Sequence, residues 1–219
     1  MYANCLKRVF DFLLSGLALL LLSPFLLLLT LLVAVKMGGN PFFTQIRPGR
    51  GERLFCLIKF RSMTNGRDET GQLLPDDQRL TRFGRLLRST SLDELPELIN
   101  IFRGDMALVG PRPLLQEYLP YYTEQEKHRH DVRPGLTGLA QVNGRNAIGW
   151  DEKLAYDVEY VRHITLKGDL KILLKTVSKT LKRSDIQVGS GFRAGKFIDQ
   201  RKARLEREAL VKAHEAGKA

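Results

Sequence analysis

The longest unbroken apolar stretch in the chain runs from Phe12 to Val35, without a single charge. As one straight helix it would be about 36 Å long at about 1.5 Å per residue, and a bilayer core needs roughly 20 such residues. A kinked transmembrane helix is therefore one reading, since membrane helices tolerate proline. Two features favour another. Ser23-Pro24 sits in the middle, where proline removes a backbone donor and crowds the preceding turn. The halves Phe12–Leu22 and Phe25–Val35 then cover only about 16 Å each. Both flanks are basic, with Lys7 and Arg8 before and Lys36, Arg47, Arg50 and Arg53 after, and basic flanks favour the cytoplasmic side. A re-entrant helix-break-helix over residues 1–36, turning at Ser23 and Pro24, keeps both ends on that side. A cleaved signal peptide fits poorly, because the run is too long and no small-x-small site follows.

Beyond it the periodicity changes. Phe42–Ile46 and Arg53–Phe60 read as strands, and Pro48-Gly49-Arg50-Gly51 between them is turn chemistry, so a β-hairpin is predicted. Thr64–Arg79 reads as a polar loop and Leu80–Leu87 as a short basic amphipathic stretch. Leu92–Phe102 has helical spacing, with Leu95, Leu98, Ile99 and Phe102 on one side. Leu114–Arg129 and Trp150–His163 are predicted helices, and Arg133–Gly144 is loop-rich. Leu166–Arg183 is the clearest amphipathic helix, with Leu170, Leu173, Leu174, Val177 and Leu181 as its stripe. Such a helix packs on a core or lies in a bilayer interface. Residues 197–219 are highly charged, which predicts a solvated helix or a disordered tail. The fold class is α+β: a mostly helical small domain with a β-hairpin, a re-entrant membrane helix and amphipathic interfacial helices. The divisions are 1–36, a catalytic domain over 37–185, and a charged tail over 186–219.

Charge narrows the partners. The 219 residues carry 35 Lys+Arg against 24 Asp+Glu, a formal charge of +11. That attracts anions: lipid head groups and nucleotide phosphates. Nucleic acid is disfavoured, because no zinc-finger spacing, RNP-like strand or recognition helix is present. Cys5 and Cys56 make no disulfide framework, and Cys56, within Leu54–Ile58, reads as a buried small residue.

The candidate chemistry sits in Ser91-Leu92-Asp93-Glu94-Leu95-Pro96 and Gly110-Pro111-Arg112-Pro113. Adjacent carboxylates amid excess cations suit a divalent metal and a phosphate ester. Ser91-x-x-Glu94 also matches a helix capping box, and the two readings are compatible. Phosphoryl transfer needs a nucleophile, a cation to offset charge, and clamps on the oxygens. Asp93 is the candidate nucleophile and Glu94 a metal ligand or proton carrier. Lys59, Arg61, Arg88, Arg112 and Arg145 are candidate clamps, arginine's planar fork being suited to phosphate. His128-Arg129-His130-Asp131 places its histidines on different helix faces and reads as an exposed, solvated cluster rather than a metal site. Asp76-Asp77 reads as a loop acid pair.

These motifs, with Phe43-Thr44-Gln45, Arg47-Pro48-Gly49, Lys59-Phe60-Arg61-Ser62-Met63, Gly104-Asp105-Met106, Arg133-Pro134-Gly135-Leu136-Thr137-Gly138 and Gln141-Val142-Asn143-Gly144-Arg145, closely resemble the monotopic bacterial phosphoglycosyl transferases, the bacterial sugar transferase family. The resemblance runs from Lys7 to about Arg183, in the minimal form without extra membrane helices. It implies catalytic Asp93 and Glu94 with Mg2+, and substrate contacts from Lys59, Arg88, Arg112, Gln141 and Arg145. It also implies a head-group anchor at Lys7 and Arg8 and a membrane break at Ser23 and Pro24. The implied reaction moves a phosphosugar from a UDP-sugar to polyprenyl (undecaprenyl) phosphate through an aspartyl intermediate, releasing UMP. The implied place is the cytoplasmic face of the bacterial inner membrane. Glu117-Tyr118-Leu119-Pro120 with His128–Asp131 resembles the branch that uses UDP-N,N'-diacetylbacillosamine to begin protein N-glycosylation. Two other classes remain open: a non-catalytic membrane scaffold binding anionic lipids, and a metal-dependent phosphatase. Oligomeric state is left open.

Overall fold

The computed structural model describes residues 2–144, 148–182 and 195–216. A π-helical turn, Tyr2–Leu6, leads into α1, Lys7–Met37. This helix is continuous by its hydrogen bonding, with Pro24 inside it. Pro24 has no N–H to give the Leu20 carbonyl, and the Ser23 hydroxyl donates to that oxygen instead, at 2.8 Å. The Ser-Pro pair thus removes one helical bond and replaces it from a side chain. Gly38, in the left-handed region, closes the helix by donating to the Ala34 carbonyl.

One face of α1 lies on the rest of the protein along both halves. Ala18, Leu19 and Leu22 pack with Leu57, Leu98, Ile101 and Met106. Leu29, Val33 and Met37 are buried with Phe60 and Leu87. The other face is apolar and exposed, including Leu13, Leu17, Leu20, Leu21, Leu27, Leu28, Leu31 and Val35. The N-terminal end is fixed by polar contacts. Lys7 is buried, its ammonium 2.6 Å from the Asp169 carboxylate, which also accepts from the hydroxyls of Tyr2 and Tyr160. Asp11 accepts from the Leu108 N–H. Arg8 donates to the carbonyls of Ile101 and Phe102.

The predicted hairpin is present. β1, Phe42–Pro48, and β2, Leu54–Phe60, pair antiparallel from Phe42 opposite Phe60 to Pro48 opposite Leu54. The turn Arg50–Glu52 holds Gly51 and Glu52 at φ near +60°. Cys56 is exposed rather than buried: Leu57 and Phe60 are the β2 side chains that face the core.

Helices then alternate with short extended pieces. α2 is Asp76–Arg79 and α3 is Arg82–Ser89, capped by the Thr81 hydroxyl accepting from the Gly84 N–H. A 3-10 turn, Leu92–Glu94, precedes α4, Glu97–Arg103. β3, Ala107–Val109, pairs parallel with β4, Gly135–Thr137. The sequence predicts no such pair, because three-residue strands carry no readable period. The expected helix Leu114–Arg129 is broken: Gln116–Tyr121 is a 3-10 segment containing Pro120. Helix resumes only at α5, Glu124–Lys127, where Thr123 and Glu126 form a capping box. After the 3-10 turn His128–His130 come α6, Leu139–Asn143, and α7, Trp150–Arg162.

α8, Leu166–Lys182, divides the stripe read from sequence. Leu173 turns inward beside Ile172 to pack near Val109 and Tyr160. Leu166, Leu170, Leu174 and Val177 face outward. The side chain of Leu181 and the 185/186 boundary lie outside the described residues. α9, Gly195–Ala216, does not behave as a solvated tail over its first turns. Phe197 is fully buried among Tyr118, Tyr122, Trp150 and Leu154. Arg201 pairs with Glu126 and with Asp151. Phe197→Leu is expected to cost about 1–2 kcal/mol by underfilling that pocket, read as an earlier midpoint in denaturant unfolding.

Candidate active site

Close backbone approach sets the site's walls. A Cβ on Gly84 would fall 1.8 Å from the Ser62 carbonyl oxygen, so glycine lets α3 rest on the strand exit after β2. That brings Arg88 to the Ser62 hydroxyl, at 2.9 Å, and to the Met63 sulfur. A Cβ on Gly135 would fall 2.1 Å from the Gly110 nitrogen. This contact fixes the start of Gly110-Pro111-Arg112-Pro113 against β4. Arg129, buried and paired with Asp157 at 2.8 Å, also donates to the Arg112 carbonyl. Arg112 is thereby held from both sides.

Asn100 aligns α4 with the hairpin. Its side-chain oxygen accepts from the Ile58 N–H at 3.0 Å, and its amide donates to the Cys56 carbonyl at 2.8 Å. The register places Lys59, one residue beyond Ile58, over the acidic turn. The Lys59 ammonium lies 3.0 Å from Glu94 and 2.9 Å from Glu97. The Arg112 guanidinium reaches the same Glu94 oxygen at 2.5 Å. Ser91, in the left-handed region at φ 56°, makes no side-chain cap. The capping box expected there is absent. A non-glycine residue in this conformation is strained, and it turns the chain so that Leu92–Glu94 precedes the helix instead of opening it.

Asp93 is 9% exposed. Among the described residues its carboxylate receives no hydrogen bond and no ion pair, whereas Glu94 has two cations and Glu97 one. Burial pushes the Asp93 carboxyl above its ordinary value and the charge of Glu94 adds to this, against the pull of Lys59, Arg88 and Arg112. For Glu94, burial is outweighed by Arg112 and Lys59, which hold it well below the usual carboxylate range. Burial, opposed by Lys59, leaves Glu97 pushed up to about 7. Lys59 is raised: burial works against its charge, but Glu94 and Glu97 outweigh burial and the repulsion of Arg112. Arg112 is raised chiefly by Glu94.

The structure therefore gathers Asp93, Glu94, Lys59, Arg88 and Arg112. Arg61 has no side-chain contact with them among the described residues. Gln141 stands on α6 with both amide atoms buried and without a hydrogen-bond partner; no described contact ties it to Asp93. Arg145 lies outside the described residues. Sequence reading missed Glu97, whose i, i+3 spacing from Glu94 was the available signal, and Asn100, which carried none. It named Arg47 as a basic flank and within the motif Arg47-Pro48-Gly49, with no role in the site. That side chain bonds Gln45, leaves its Nε buried and unpartnered, and is pushed down to about 10 by burial and by Arg112.

His128–Asp131 is not the solvated cluster predicted. His128 and Asp131 are exposed and paired, but Arg129 and His130 are buried. Burial and then Arg129 push the His130 imidazole down to about 4 from its ordinary 6.5. A depressed histidine contributes stability that is whole above pH 6.5 and lost as pH falls toward 4. His130→Gln is expected to flatten that slope by on the order of 2 kcal/mol, measured by denaturant unfolding at pH 7 and pH 4.5.

A family model described as bacterial sugar transferase matches residues 2–183. The chain belongs to that family. It is 50% identical over 193 residues to the uncharacterized sugar transferase EpsL of Bacillus subtilis, covering 88% of this chain and 95% of that one. It is 40% identical over 186 residues to the UDP-glucose:undecaprenyl-phosphate glucose-1-phosphate transferase of Caulobacter vibrioides, covering 80% and 69%. With the undecaprenyl-phosphate galactose phosphotransferase of Salmonella typhimurium it shares 38% over 195 residues, 81% of this chain and 41% of that protein. The sugar transferase match contains every member of the Asp93 cluster and stops short of α9.

Proposed function

We propose that this sugar transferase moves a phosphosugar from a UDP-sugar to undecaprenyl phosphate at the cytoplasmic face of the bacterial inner membrane. The observation that carries the reading is Asp93: buried, surrounded by cations, yet bonded to none of them, while its neighbours Glu94 and Glu97 are engaged. A scaffold that binds anionic lipids has no use for such a carboxylate.

An Asp93 oxygen attacks the β-phosphorus. The bond from that phosphorus to the bridging oxygen breaks, and UMP leaves with the electron pair. A phosphate oxygen of the polyprenyl carrier then attacks the same phosphorus, forming the diphosphate-linked product and returning Asp93 to a carboxylate. Arg88 and Arg112 are the cations that would bind and orient phosphate oxygens. Lys59 engages Glu94 and Glu97 in ion pairs, which leaves Asp93 as the carboxylate with no cation bound to it. Asp93 and Glu94 are the residues that would hold Mg2+, which supplies offsetting charge to the diphosphate; the unbonded Asp93 carboxylate beside Glu94 suits that hard cation.

For the membrane seat we propose the re-entrant arrangement with its break at Ser23 and Pro24. It is supported by α1 lying on one domain along both halves, where a straight span would carry its second half away. Lys7 and Arg8 serve this seat by fixing α1 to Asp169 and to the end of α4. For the donor we propose a UDP-linked N-acetylated sugar, with N,N'-diacetylbacillosamine foremost on the resemblance at Glu117–Pro120 and His128–Asp131. The relatives whose names specify a donor carry glucose or galactose, so these belong in the test. UMP release is measured over a panel of UDP-sugars with undecaprenyl phosphate and Mg2+, with and without a chelator. Labelled sugar in the lipid phase is expected. Free sugar phosphate would mean a phosphatase, and no UMP from any donor would mean a scaffold.

A further inference from the structure

A cleft of about 640 Å³ opens at the far end of the hairpin, lined by Gly49, Arg50, Arg53, Leu54, Gly104 and Arg133, with Gly51, Phe55 and Asp105 completing its wall. It is not the Asp93 site. Phe55 and Lys59 are separated by four residues of β2, about 13 Å. Gly104 caps the end of α4 opposite Glu97, about 10 Å away. The cations of this cleft outnumber its one lining carboxylate, Asp105. Among the described residues Arg50, Arg53 and Arg133 form no ion pair with any carboxylate. Asp105 is turned to the Asn100 amide, at 3.1 Å. Arg133 spends its Nε on the Gly104 carbonyl, and among the described residues its two terminal nitrogens have no hydrogen-bond partner. Burial, then the charges of Arg8 and Arg50, push that guanidinium below its ordinary value. Three like charges at one opening, one of them half-buried, are held at a cost that an anion relieves.

The opening is also amphipathic. Leu54 is half exposed on its wall, and Phe12 and Phe102 stack nearby, both part-exposed, beside Arg8. This is the N-terminal end of α1, where the exposed apolar face begins. The size falls in the ordinary range of pockets for small organic ligands, roughly 300–1,000 Å³, and exceeds what a free phosphate fills.

We propose that this cleft holds the phosphodiester head group of an anionic phospholipid, with Arg50, Arg53 and Arg133 on the phosphate and Leu54 and Phe55 against the start of an acyl chain. The inference rests on the membrane seat proposed above only for the level at which the cleft lies. The chemistry is separate from catalysis, since no residue of the set touches the Asp93 cluster.

The test is a thermal-shift titration of the full chain in detergent with short-chain phosphatidylglycerol, short-chain phosphatidylcholine or inorganic phosphate. Phosphatidylglycerol is expected to raise the Tm of the wild type most. Arg50→Gln/Arg53→Gln, both exposed turn residues, is expected to weaken its apparent Kd by at least about tenfold while leaving UMP release in detergent unchanged. Arg82→Gln/Lys202→Gln, with the same loss of charge elsewhere on the surface, is expected to bind as the wild type does. Equal affinity in wild type and Arg50→Gln/Arg53→Gln overturns the site. An inorganic phosphate shift matching that of phosphatidylglycerol overturns the lipid assignment, as does an equal response to phosphatidylcholine. Lipid binding lost without loss of turnover, or turnover absent with lipid binding intact, separates this proposal from the proposed reaction.

Discussion

Asp93→Asn is expected to lower UMP release by at least about 10³-fold, because an amide cannot form the acyl phosphate that the reaction passes through. The same change is expected to leave folding intact or to improve it. Burial and the charge of Glu94 raise the Asp93 carboxyl. A raised carboxyl contributes stability that is present below its unfolded value and lost as pH climbs through its folded one. Wherever that side chain is ionised it costs stability, and the neutral amide removes that cost. Two readings decide the case together: UMP release in single-turnover conditions, and Tm at pH 7. Normal UMP release in the variant would sink covalent catalysis at this residue. A large fall in Tm would mean that Asp93 is a structural member of the cluster.

The second expectation concerns Lys59, which holds two carboxylates at once. Its side chain is 17% exposed, that of Glu97 only 3%. Lys59→Met keeps most of the apolar stem but takes the charge away. Glu94 retains Arg112; Glu97 is left buried without a partner. Breaking a buried pair on one side costs about 3–5 kcal/mol; a loss toward the low end of that range is expected in denaturant unfolding at pH 8, because without Lys59 the Glu97 carboxyl rises further and sheds part of its charge by protonation. Lys59→Met/Glu97→Gln is expected to recover more than half, since the amide no longer carries the stranded charge. If the single variant unfolds within about 0.5 kcal/mol of the wild type, the pairing contributes nothing and the proposed role of Lys59 fails with it.

Much of this fold was legible because long elements advertise their period. The apolar run, the hairpin between Phe42 and Phe60, α7 and α8 all repeat a pattern over several turns or residue pairs. What escaped was made by contacts between distant segments. β3 and β4 are too short to alternate, and they exist because Gly110 and Gly135 allow two backbones to meet. Leu114–Arg129 has helical composition, yet Pro120 breaks it and the capping box at Thr123 restarts it. His130 and Arg129 look solvated by residue type, but Asp157, remote in sequence, draws the arginine inward. The acidic pair with Lys59, Arg88 and Arg112 was readable as a set of residue types in a cationic chain. Glu97 offered only its i, i+3 spacing from Glu94 and Asn100 no signal at all, since a buried amide acquires meaning only once the hairpin lies across α4.

The seating of α1 bears on how the protein can be handled. Leu29, Val33 and Met37 complete the same apolar cluster as Phe60 and Leu87, so residues 1–36 are not a detachable leash. Cutting them off in search of a water-soluble enzyme would uncover Ile101 and Met106 as well. The shortened product should aggregate rather than work, and amphiphile-solubilised whole chain is the form suited to assay.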